Sequence, residues 1–174
     1  MKRTVDLKET IRNIPDFPKP GILFRDITTL LKDRRAFKQA VDMMAAHYKN
    51  KKVDVVVAVE SRGFILGGAI AHKLGAGFVP VRKKGKLPWK TQTVTYSLEY
   101  GTDTLEVHLD AIKPGDRVLI VDDLIATGGT VKAVADLVQQ LKGKITGIAV
   151  LIELTDLNGR QQLRGHPVYS LIKY

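Results

Sequence analysis

The sequence of 174 residues predicts an α/β protein built on a mostly parallel sheet flanked by helices. Two observations carry that reading. Val53–Val59, Val118–Val121 and Ile145–Ile152 are nearly continuous runs rich in β-branched residues, the pattern of strands buried on both faces. Segments with helical spacing lie between and after these runs, so strands alternate with helices as a covered parallel sheet requires.

Each element follows from its own residues. Val5, Leu7, Ile11 and Ile14 have the spacing of a short amphipathic helix stopped at Pro15. Residues 15–21 hold three prolines, which remove three amide donors, and so form a turn series. Phe37, Val41, Met44, Ala45 and Tyr48 recur at helical spacing behind Asp33, a suitable cap. Gly63–Leu74 reads as a helix despite its paired glycines, and Phe78–Val81 as a strand interrupted by Pro80. Residues 83–93 are basic and turn-rich. Thr93–Leu98 and Thr104–His108 flank Tyr100-Gly101-Thr102-Asp103 as an antiparallel hairpin. Pro114-Gly115-Asp116 is a turn, Thr130–Leu141 a helix, and no repeat or linker divides residues 1–174, which read as a single domain.

Composition narrows the function classes. With 44% hydrophobic and 26% charged residues the chain can build a core, which excludes a disordered tail or a fibrous repeat. The longest apolar stretches, Phe64–Ala71 and Ile145–Ile152, fall short of the roughly 18 residues that span a bilayer, so no membrane partner is expected. Met1–Glu9 carries cations with no apolar stretch behind them, unlike a secretory signal. There is no cysteine, hence no disulfide, thiolate metal site or cysteine nucleophile, and a reducing, cytoplasmic location is expected. A net charge of +10 suits an anionic partner, either nucleic acid or a small phosphorylated substrate. His47, His72, His108 and His166 share no metal-ligand spacing and no Ser-His-Asp arrangement, so no protein metal site is expected.

The chemistry concentrates in residues 118–130. An apolar run delivers Asp122 and Asp123 to its carboxyl end, and a loop of small and hydroxyl residues, Ala126-Thr127-Gly128-Gly129-Thr130, turns straight into a helix. Small residues let backbone approach a ligand closely, and unpaired N–H groups at the helix start suit a phosphate. The two carboxylates would repel that phosphate, so they serve sugar hydroxyls or a magnesium shell. A Walker A loop needs Gly-Lys-Ser/Thr and a dinucleotide fingerprint needs G-x-G-x-x-G; this loop has neither. A response-regulator acid pocket also pairs aspartates after a strand but has no use for the Thr-Gly-Gly-Thr cradle.

This segment resembles the ribose-phosphate signature of the type I phosphoribosyltransferases. Further motifs resemble the adenine phosphoribosyltransferase branch: residues 14–27, Glu60-Ser61-Arg62-Gly63-Phe64, residues 81–88, Tyr96–Gly101, Leu151–Leu154 and Gly159-Arg160. Thr29, where the family often has proline, and Trp89, where a small or charged residue is usual, depart from the pattern without touching a motif residue. The resemblance implies the type I phosphoribosyltransferase fold, with a small N-terminal hood (about residues 1–33 with the C-terminal segment) and a flexible antiparallel loop. It implies conversion of adenine and 5-phosphoribosyl 1-pyrophosphate to AMP and pyrophosphate, with Mg2+ bound mainly through the substrate, in a homodimer.

By the same resemblance Ala126, Thr127, Gly128, Gly129 and Thr130 hold the 5-phosphate, and Asp122 and Asp123 the ribose hydroxyls. Arg62 and Lys86 clamp pyrophosphate, and Arg82 reaches a dimer interface. Glu99 exchanges a proton near N7 of the purine, Tyr100 positions base or leaving group, and Glu60–Ser61 is a non-proline cis peptide. Phe24 stacks on adenine, the backbone of Leu23 and Arg25 reads its edge, and Leu154 packs opposite. Spacing alone does not single out Lys86 from Arg82, Lys83, Lys84 and Lys90, nor Glu99 from an exposed strand-end carboxylate. Two other functions compete: the same chemistry on hypoxanthine or guanine, and a regulator that senses the sugar phosphate and binds nucleic acid. The second would need a helical DNA-reading unit, for which the chain leaves only its first few residues.

Overall fold

In the computed structural model, which describes residues 4–97 and 101–174, the sheet is built around β3 (Val55–Val59) and β7 (Arg117–Ile125). These pair in parallel, Val55 opposite Val118 and Ala58 opposite Val121. From β3 the chain passes through α3 (Arg62–Leu74) to β4 (Gly77–Lys83), which pairs in parallel on the far side of β3. From β7 it passes through α4 (Gly129–Gln140) to β8 (Lys144–Glu153) and then to β9 (Val168–Lys173), both parallel and on the opposite side. β5 (Thr91–Ser97) and β6 (Thr102–His108) form an antiparallel pair joined to the end of β4, giving the order β5-β6-β4-β3-β7-β8-β9. The connections after β3 and β7 run in opposite directions. Such a reversal opens a crevice at the carboxyl ends of the strands, the place where open α/β sheets bind ligands.

Burial explains why these residues make these elements. Val56, Val57, Ala58, Val118, Leu119, Ile120, Val121, Ile148, Ala149 and Val150 are fully buried, as strands covered on both faces demand. Val131, Val134, Leu137 and Val138 of α4 are buried with them at helical spacing. Pro80 sits within β4 because the β4–β6 ladder begins only at Arg82, leaving one side of the strand unpaired at the proline. The hairpin expected around Gly101 is present as the β5–β6 pair. β9, which the apolar pattern of the sequence did not single out, has mostly half-buried residues and no strong alternation.

Contacts within the chain group it into two compact units, one ending at Met43 and one running from Met44 to Tyr174. In the first, β1 (Arg12–Ile14) and β2 (Phe24–Asp26) pair antiparallel, Asn13 opposite Arg25. The turn series between them contains a cis Phe17–Pro18 peptide, and Phe17 meets the Phe24 ring edge-on at 5.2 Å. Two helices follow, α1 (Thr28–Lys32) and α2 (Arg34–Tyr48), the latter running into the second unit. Asp33 caps α2 as expected, its Oδ1 accepting the N–H groups of Arg35 at 2.8 Å and Ala36 at 2.9 Å. The helix expected over Val5–Ile14 does not form. Residues 7–10 make a turn closed by Thr10 on the Leu7 carbonyl at 2.7 Å, and Arg12–Ile14 is taken into the ladder with β2. A segment this short cannot hold a helix by itself against that pairing.

Candidate active site

The crevice at the switch between β3 and β7 is lined by Val59, Glu60, Arg62 and the continuous run from Asp122 to Val131. β3 ends in a cis Glu60–Ser61 peptide, directly after which α3 starts at Arg62. β7 delivers Asp122 and Asp123 to the crevice, and its chain continues through Ala126–Gly128 into α4. Gly128 holds the turn at φ 88°, a left-handed conformation that glycine adopts without steric cost. The first helical bond of α4 runs from the Lys132 N–H to the Gly128 carbonyl at 2.9 Å. The preceding N–H groups of the loop and first turn have no intrahelical acceptor, and α4 aims the positive end of its dipole at the crevice. Tyr96 of β5 brings its hydroxyl within 3.3 Å of Thr130 Oγ1.

Both carboxylates are buried, Asp122 with little compensation. Asp122 is 8% exposed, and its Oδ1 accepts the N–H of Asp123 at 2.8 Å. Burial first, and the Asp123 charge second, push the Asp122 carboxyl well above the usual carboxylate range. Asp123 has a cationic partner, the Arg62 Nε at 2.5 Å. This makes an acidic floor with one cation, next to an electropositive loop: an arrangement suited to a ligand with hydroxyls on one side and phosphate groups on the other.

A second set of charges lies on the basic segment after β4. Glu60 accepts the Lys83 N–H at 2.6 Å, the Lys86 ammonium at 2.9 Å and an Arg82 guanidinium N–H at 3.3 Å. Burial alone would raise the Glu60 carboxyl, but these donors, the Lys83 N–H foremost, bring it below its ordinary value. Glu106, 4% exposed on β6, accepts the N–H groups of Lys86 and Leu87 at 2.9 Å each. Glu60 and Glu106 together fix the backbone and side chain of Lys86. Sequence reasoning gave neither carboxylate a role. The signal available was Glu60 at the end of a buried strand; Glu106, inside a hairpin strand, gave none.

The structure thus brings Arg62, Asp122, Asp123 and residues 126–130 into one crevice, with Lys86 joined to it through Glu60. Leu154 follows β8, its N–H donating to the Ile125 carbonyl at 3.0 Å. Phe24 and Arg25 lie on β2 in the N-terminal unit, where an Arg25 guanidinium N–H donates to Asn13 Oδ1. Glu99 and Tyr100 lie outside the described residues. Among the described residues no group of three or more His, Asp or Glu side chains is placed to hold a metal ion, and no helix is long and apolar enough to cross a membrane.

Comparison with known proteins agrees with this architecture. The family model of the phosphoribosyl transferase domain matches residues 28–173. The adenine phosphoribosyltransferase of Symbiobacterium thermophilum is 57% identical over 98% of this chain and 100% of its own length. The crystal structure of adenine phosphoribosyltransferase from Thermoanaerobacter pseudethanolicus superposes with a TM-score of 0.95 at 53% identity, covering 97% of this chain and 98% of that one. The Saccharomyces cerevisiae enzyme, solved with D-2,5-dideoxy-2,5-imino-altritol 1,6-bisphosphate and adenine, gives 0.93 at 41% identity, with 96% and 97% covered. Family model, sequence and backbone agree over nearly the full length, and the chain belongs to the adenine phosphoribosyltransferases.

Proposed function

We propose that this protein is a purine-salvage enzyme converting adenine and 5-phosphoribosyl 1-pyrophosphate to AMP and pyrophosphate. The observation that carries the reading is near-full-length identity above half to relatives of that name. The crevice chemistry supports it independently: Asp122 and Asp123 line the same space as residues 126–130, the loop that opens α4.

The bond between ribose C1 and the pyrophosphate oxygen breaks, N9 of adenine bonds to C1, and the base gives up one proton. Residues 126–130 hold the 5-phosphate through backbone N–H groups and the Thr127 and Thr130 hydroxyls. Asp122 and Asp123 accept hydrogen bonds from the 2- and 3-hydroxyls, and their charge favours the positive charge that grows on the ring as the C1–O bond lengthens. Arg62 and Lys86 take the pyrophosphate, exchanging their present carboxylate partners for it. Two carboxylates, one already facing Arg62, are too few for a magnesium cage, so the ion fits here as one carried on substrate oxygens. When bound, it neutralises charge on the leaving group.

Phe24 stacks on adenine, with the backbone of Leu23 and Arg25 reading its edge and Leu154 packing opposite, and about residues 1–33 with the C-terminal segment serve as the base-binding hood of a single domain. Glu99 exchanges the proton near N7, and Tyr100 positions base or leaving group. A homodimer in the cytoplasm completes the proposal, with Arg82 at its interface. The test is stoichiometric appearance of AMP and pyrophosphate when adenine, the sugar substrate and magnesium are supplied together. Absence of AMP under those conditions refutes the reading, and a near-wild-type kcat in Glu99→Ala dismisses the acid/base assignment.

A further inference from the structure

Three groups near the crevice take no part in the chemistry described above: the buried Gly159 and Glu153, and Arg160, whose side chain is half-buried. Gly159 opens a 3-10 turn, Gly159–Leu163, and is itself buried. A Cβ built on it would overlap the Ala126 carbonyl oxygen, stand 2.6 Å from Ile125 Cγ2 and lie 3.0 Å from the Gly128 nitrogen. Conversely, a Cβ on Gly128 would overlap the Gly159 carbonyl oxygen. The two glycines therefore meet backbone to backbone, and the nearest obstacle on each side is a main-chain oxygen that no rotamer change can move.

The residue that follows is anchored through its guanidinium. Arg160 donates from Nε to Glu153 Oε1 at 2.6 Å and from Nη2 to Glu153 Oε2 at 2.7 Å, a bidentate fork. It also reaches the Val168 carbonyl and Ser170 Oγ, each at 3.0 Å, and Ser170 Oγ donates to Glu153. Glu153, 6% exposed, is the last residue of β8 and pairs with Ile125, the last residue of β7 before the loop. The ion pair thus ties the 3-10 turn to the strand that flanks the loop's own root. Stability alone does not require a buried carboxylate at the end of β8, because an apolar residue of similar volume serves a core as well. The fork supplies a fixed direction, which a hydrophobic contact lacks.

We infer that Gly159, held by the Arg160–Glu153–Ser170 cluster, is a positioning residue: it forms the rear wall against which loop 126–128 is set at the spacing that 5-phosphate binding needs. This rests on the reading that residues 126–130 bind the 5-phosphate. Glycine at 159 lets the loop sit as deep as its backbone allows, and Arg160 stops the turn from backing away.

The test measures KM for the sugar substrate and for adenine, together with direct binding of ribose 5-phosphate, in Gly159→Ala, Arg160→Lys and Thr130→Val. Gly159→Ala displaces the loop by a fraction of an ångström to about one ångström, and misplacement on that scale costs about ten- to a hundredfold. The sugar-substrate KM should rise by that factor, ribose 5-phosphate binding should weaken in parallel, and the adenine KM should stay unchanged. Arg160→Lys, which keeps the charge but loses the fork, should show the same split to a smaller degree and guards against a Gly159→Ala protein that does not fold. A merely structural role would lower the melting temperature without separating the two KM values. Wild-type ribose 5-phosphate binding in both variants, with weakened binding in Thr130→Val, overturns the rear-wall inference and leaves the phosphate loop intact. Unchanged binding in all three overturns both.

Discussion

Replacing Asp122 with asparagine should weaken the enzyme and stabilise the protein at once. The side chain is 8% exposed, shares its surroundings with Asp123, and has its Oδ1 satisfied by one backbone N–H. Asparagine keeps that acceptor and the volume but not the charge. A hydrogen bond to a charged group contributes roughly 1.5–3 kcal/mol, against about 1 kcal/mol for a neutral one. Losing the charge-assisted bond to a ribose hydroxyl should therefore cost about two- to thirtyfold in kcat/KM for the sugar substrate, and the lost attraction for the developing cation adds to that loss. The stability effect has the opposite sign. An acid whose folded value lies above its unfolded one binds more protons when folded, so its contribution falls as pH rises past the ordinary value of 3.8. Asp122→Asn should consequently melt higher than wild type at neutral pH, with the gap closing as the pH is lowered towards 3.8. Paired steady-state kinetics and thermal melts across pH measure both. A variant that melts lower than wild type at every pH refutes the claim that the carboxylate is held there at a cost.

Other residues give further tests. Gly67→Ala places a Cβ 2.6 Å from Ala58 Cβ and 3.1 Å from the Phe78 ring, an overpacking that should cost about 1–3 kcal/mol and lower Tm by roughly 2–4 °C for each of them; an unchanged melt contradicts it. Glu153 is held below its ordinary value of 4.5 chiefly by hydrogen bonds from Arg160, so its contribution is full above that pH and lost below it. Acid titration of unfolding should show the stability advantage of wild type over Glu153→Gln shrinking below pH 4.5, and a constant difference would remove the ion pair as its source. Phe24→Ala should raise the adenine KM about two- to tenfold, the worth of one aromatic stack, with the sugar KM unmoved; an unaltered adenine KM takes Phe24 out of the base site.

What the sequence made legible follows the physics of each element. Strands buried on both faces announce themselves as unbroken β-branched runs, so β3, β7 and β8 could be read directly. The loop from Asp122 to Thr130 was equally plain, because strand, acids, small residues and helix start succeed one another without a gap. Pairing decided the rest. Arg12–Ile14 has helix-compatible spacing, yet its partner Phe24–Asp26, some twelve residues on, makes it a strand. Glu60 and Glu106 meet the basic segment only through the β4–β6 ladder and the end of β3, contacts that no local pattern encodes. The backbone contact between Gly128 and Gly159 joins residues thirty-one positions apart, and glycine shows in a sequence only that something needs room.

Adenine as the base is tested by kcat/KM for nucleotide formation from the sugar substrate and magnesium, with adenine, hypoxanthine and guanine in parallel. AMP should form efficiently, with little turnover of the two oxopurines. Equal or greater turnover of hypoxanthine or guanine contradicts it, leaving the sugar-phosphate crevice but overturning the base assignment built on Leu23, Phe24, Arg25 and Leu154.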